Sequence, residues 1–98
     1  MPCRCEGEGL RFNGVIMNLS YGGAWIVGKK KLPTEGMELL VTIRPGLERV
    51  ELRSRVVWGR LQDQQTGLAQ IGVEFLEERQ ALQEKLRAFF PRYHVLQP

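Results

Sequence analysis

The stretch Asn18-Leu19-Ser20-Tyr21-Gly22-Gly23 gathers an amide, a hydroxyl and a glycine pair behind an apolar run. Asn and Ser oxygens accept hydrogen bonds, short polar side chains tolerate tight turns, and glycine supplies positive φ. Two roles fit. The turn caps itself through side-chain-to-backbone hydrogen bonds, or it offers its oxygens to a ligand that carries donors. On composition alone the self-capping turn is the simpler reading.

Other reactive side chains are sparse. One His (His94), one Asp (Asp63) and no glycine-rich phosphate loop leave no catalytic constellation, so an enzyme is not expected. Cys3 and Cys5 are the only cysteines. A disulfide across one intervening residue is strained, and a metal site needs more ligands than this pair and a distant His94. Two reduced thiols and no metal are expected, which suits a reducing compartment.

The elements that position these residues follow from periodicity. Leu10–Asn18 alternates, with Leu10, Phe12, Gly14 and Ile16 on one face and Arg11, Asn13, Val15 and Met17 on the other. Ala24–Val27, Met37–Arg44, Val50–Arg60 and Leu68–Leu76 read as further strands. In Val50–Arg60 a slip is expected before Val56 and Trp58. Trp58 is expected in the core or at the barrel rim, and Trp25 partly in the core. Lys29-Lys30-Lys31 reads as a solvated loop, Gln62–Gly67 as another, and Arg53 and Arg55 share an outer charged face with Glu51.

From Glu77 the period changes to 3.6. Leu82, Leu86, Phe89 and Phe90 form an apolar stripe that docks on the sheet, which predicts a helix over about 77–90. Glu77 and Glu78 suit its start and Lys85 and Arg87 its end, and Pro91 stops it. Strands in so short a chain must satisfy their edges, and closing the sheet does so. Residues 1–90 are read as one barrel-plus-helix domain and 91–98 as a tail, with no function assigned to His94.

Length and charge narrow the class. The 98 residues make one domain. No apolar run approaches the ~20 residues of a membrane span, and the first residues lack a signal-peptide core. The expectation is therefore cytoplasmic, without membrane insertion. Net charge is +3, and ten of the fourteen cations are Arg. Residues 1–76 carry ten cations and eight anions, net +2, which is thin for DNA or RNA.

Asn18-x-Ser20-x-x-Gly23 resembles the [Asp/Asn]-x-Ser-x-x-Gly signature of PilZ domains. Gly36-Met37-Glu38-Leu39, Val56-Val57-Trp58, Ile71-Gly72-Val73-Glu74-Phe75 and a final helix follow in the family's order. The resemblance implies an all-β fold. It would be a six- or seven-stranded antiparallel barrel with one C-terminal helix, serving as a bacterial receptor module for cyclic di-GMP. Guanine's N1 and N2 donors suit the oxygens of Asn18 and Ser20, and Gly22 and Gly23 let the backbone approach the rings. Guanine's O6 and N7 edge suits arginine.

The family also carries an Arg-x-x-x-Arg pair before the first strand, and this chain has no such spacing near its start. Arg4 and Arg11 are the candidates, seven residues apart; only 17 residues precede Asn18, short for an arm plus a strand. Charge-assisted contacts are worth about 1.5–3 kcal/mol each, so losing two weakens binding by roughly two to four orders of magnitude. The expected site is Asn18, Ser20, Gly22, Gly23, Arg4 and Arg11. The alternative is a ligand-independent adaptor that works through protein contacts on the barrel's outer face and the helix.

Overall fold

The computed structural model describes residues 1–29, 33–44, 46–63 and 65–87. Six strands form a closed antiparallel barrel in the order β1-β2-β3-β6-β5-β4. They are β1 (Pro2–Gly7), β2 (Leu10–Leu19), β3 (Gly23–Lys29), β4 (Glu38–Ile43), β5 (Val50–Asp63) and β6 (Leu68–Phe75). One helix, α1 (Arg79–Leu86), follows. Closure is made by β1, which pairs with β2 on one side and with β4 on the other, and leaves no edge.

The barrel interior is filled by alternate residues. Phe12, Ile16, Ile26, Val41, Leu52, Val56, Ile71 and Val73 are buried in one cluster with Cys3 and Cys5. The hydrogen bond to Cys3, reinforced by burial, pushes the Cys5 thiol well above the ordinary thiol range. Both cysteines are free. As core residues they behave as small hydrophobes.

The strand before Leu10 escaped the periodicity reading. Pro2–Gly7 alternates Cys3 and Cys5 inward with Arg4 and Glu6 outward, a pattern too short, with two inward residues, to stand out as a strand. Gly7 pairs with Leu10 across a two-residue Glu8-Gly9 loop, with Gly9 at φ 68°. That is tight-hairpin chemistry. The residues before Asn18 therefore hold a strand and most of its neighbour, not a free arm.

Strand β5 also differs from expectation. Leu52, Ser54 and Val56 are all buried, so the alternation runs unbroken to Val56. Ser54 hid the pattern: its buried hydroxyl donates to the Leu52 carbonyl at 3.1 Å. The slip comes after Val56, and β5 continues through residues expected in a loop as far as Asp63, opposite Leu68. Trp58 consequently lies outside the core, 41% exposed.

Helix α1 starts later than the charge pattern suggested. Glu78 is the N-cap residue, and the first turn holds no acidic side chain. Glu77 instead accepts a hydrogen bond from the Arg53 amide at 3.0 Å and pairs with Lys85. Lys85 also donates to the Glu51 carbonyl at 2.8 Å. This latch ties the helix to β5 while Leu82 and Leu86 enter the core. Phe89, Phe90, His94, the tail 91–98, and Lys30-Lys31 lie outside the described residues.

The Glu77 carboxylate is mostly buried and serves two partners, so its removal strands the Arg53 amide. Glu77→Ala is expected to cost about 1–3 kcal/mol, read as a lower urea midpoint. An unchanged midpoint contradicts the latch.

Candidate functional site

Two β-bulges build the site. In β2 the register jumps between Ile16 and Asn18, so Asn18 rather than Met17 pairs with Trp25. In β5 it jumps between Val56 and Trp58, so Trp58 rather than Val57 pairs with Gly72. Each bulge absorbs one residue and re-aims those after it. Asn18, Trp25, Gly72 and Trp58 thereby fall in one row across β2, β3, β6 and β5, on the outer face. Without the bulges, strict period-2 alternation would turn Asn18 and Trp58 inward.

The row works because Gly72 has no side chain. A Cβ there would lie 2.0 Å from Trp58 Nε1, so the indole rests on the bare backbone of β6. Trp25 is half-buried beside it, and its indole N–H is buried with no acceptor among the described residues. Asn18, Ser20, Gly22, Gly23, Trp25 and Trp58 line a depression of about 340 Å³. None of its lining residues is charged.

The turn is held from within. Ser20 Oγ accepts hydrogen bonds from the amides of Gly22 (3.2 Å) and Gly23 (3.3 Å). The Ser20 amide donates to the Gly23 carbonyl at 2.9 Å, and the Phe75 amide donates to Gly22 O at 2.9 Å. Ser20 is thus committed to shaping the turn, as the self-capping reading expects. Asn18 differs: it is exposed, and its amide has no hydrogen-bond partner among the described residues.

Neither turn glycine adopts positive φ, contrary to the role expected from the sequence. Gly23 is needed for proximity instead. A Cβ on Gly23 would meet the Val73 carbonyl oxygen at 2.0 Å, a backbone atom that cannot step aside. At Gly22 the nearest such atom is Ser20 Oγ at 3.9 Å.

Arg4 and Arg11 are not brought to the turn. Arg4 pairs in register with Asn13, five residues or about 16 Å along β2 from Asn18. Arg4 and Arg11 share Glu6, at 3.2 and 3.9 Å. They line a different depression, of about 620 Å³, with Val15, Val27 and Leu68. The other four expected residues do converge. Sequence reasoning missed the contributions of Trp58 and Gly72, because a bulge leaves no hydropathy signature. The available signal was an apolar pair, Val56-Val57, breaking the alternation just before Trp58.

Substitution separates the two glycines. Gly23→Ala should destabilise by about 3 kcal/mol or more, through the clash with Val73. Gly22→Ala should stay within about 0.5 kcal/mol. Chemical denaturation measures both, and equal effects contradict the close approach.

No curated protein and no solved structure matches the chain. The family model for the PilZ domain matches residues 1–91. With that match added to the closed barrel and the glycine-bearing turn, the chain belongs to the PilZ family of cyclic di-GMP-binding signalling domains.

Proposed function

We propose that this chain is a cyclic di-GMP receptor module whose base-reading half is intact. The observation that carries the reading is Asn18. Its amide stands exposed and unpaired at one end of the row that ends in exposed Trp58. An amide oxygen suits the N1 and N2 donors of guanine, and an indole suits the flat purine. Gly72 seats the Trp58 indole on β6 and Gly23 draws the turn in, so that the indole and Asn18 border one depression. The module has no catalytic role in this reading: it binds and relays.

A second reading has its own support. Val15, Met17, Val57 and Trp58 are exposed large hydrophobics, and all four lie on the outer face of β2 and β5. Exposed apolar surface of this kind suits a protein partner. In an adaptor that face works without the nucleotide.

Calorimetric titration with cyclic di-GMP separates the two. The receptor reading predicts saturable heat that Asn18→Ala weakens by about tenfold. A flat isotherm at high protein concentration overturns it and leaves the adaptor.

A further inference from the structure

A dianionic nucleotide on an uncharged depression lacks a counter-charge, and Arg4 and Arg11 stand too far away to provide it. Resting on the receptor reading above, we propose that Arg55 and Arg60 of β5 supply the cationic contacts, one on each side of Trp58.

The bulge at Val57 places them. Arg55 pairs with Glu74, Trp58 with Gly72 and Arg60 with Gln70, so the three take consecutive outward positions on β5. Consecutive outward positions are about 7 Å apart. Had β5 run without the bulge, Arg60 would point into the barrel while Arg55 pointed out. The same irregularity that exposes the indole therefore flanks it with two guanidinium groups.

Neither guanidinium lines the depression as it stands, but each lies one outward position from Trp58, which does. Glu74 pairs with Gly23 on its other side, so Arg55, Glu74 and Gly23 form one row that ends at the turn. Two strand spacings separate Arg55 from Gly23, about 10 Å between Cα atoms. Arg60, Gln70 and Val27 form the row on the opposite side of Trp58. Both arginines are exposed and long enough to fold over the indole between them.

Their present partners leave them available. Arg55 meets Glu74 at 3.4 Å, with both side chains about half exposed, and such a surface pair is weak. Arg60 has no ion-pair partner among the described residues. A phosphate or a guanine O6/N7 edge offers either guanidinium a two-pronged acceptor that a single carboxylate contact does not match. Two acidic side chains share the Arg55 row, Glu74 on β6 and Glu38 on β4, and only Glu74 makes an ion pair with Arg55 among the described residues. Both oppose the ligand's charge, and exchanging Arg55 from Glu74 to the ligand leaves the two carboxylates exposed to water.

The test is titration of the whole chain with cyclic di-GMP and, separately, with guanosine, at low and high salt. Arg55→Gln and Arg60→Gln should each weaken cyclic di-GMP binding by about tenfold or more, and the double substitution by about a hundredfold. Guanosine, which has no phosphate, should be held far less dependently on them, and salt sensitivity should fall with each lost arginine. Arg4→Gln with Arg11→Gln should leave the affinity unchanged. Wild-type binding that survives the Arg55/Arg60 double substitution, or that the Arg4/Arg11 double abolishes, overturns this inference and leaves the receptor reading standing. A wild-type protein that takes up no cyclic di-GMP overturns both.

Discussion

The pleat of a β-strand allows a side chain only one of two faces, and on this surface two extra residues decide which. Met17 and Val57 are each absorbed by a bulge. They sit on strands that do not touch, β2 and β5, yet they offset the same row. That row carries the exposed amide, the two indoles and the bare glycine. Everything functional about the surface depends on this shared offset, because a perfectly regular barrel of the same sequence would bury Asn18 and Trp58. Two large groups with polar atoms would then sit in an interior that has no partners for them, at a cost of several kcal/mol.

Close backbone approach is the second constraint, and it works with the first. Gly23 brings the turn against the Val73 carbonyl, and Gly72 lets the indole of Trp58 lie on β6. The turn is further fixed by Ser20 Oγ and by the Phe75 amide. Ser20 therefore organises the surface, while Asn18 is left to meet a ligand. The two residues look equivalent in the motif, and the fold gives them different work.

Much of this was legible in the chain. Five of the six strands came from the pattern of apolar and polar residues, and the helix came from the change to period 3.6. Four of the six expected site residues converge, because a short motif fixes its own local geometry. The misses share a cause. Strand β1 was hidden because its alternation rests on only two inward residues, Cys3 and Cys5, and Ser54 hid the regularity of β5 by occupying a buried position with a self-satisfied hydroxyl. Arg4 and Arg11 joined the expected site as the upstream candidates for the arginine pair that the resemblance implies, whereas antiparallel pairing sets Arg4 beside Asn13 and away from the turn. Arg55 read as one more charge on an outer face. Its relation to Gly23 exists only through register across β6, and no local pattern encodes that.

The most direct test of the account is to follow the two indole N–H signals and the backbone amides of the 15N-labelled chain by nuclear magnetic resonance during addition of cyclic di-GMP. The account predicts that Trp58, Trp25 and the amides of residues 18–23 move together, with Arg55 and Arg60 following. Movement confined to the neighbourhood of Arg4 and Arg11, or a spectrum that does not change, would contradict it.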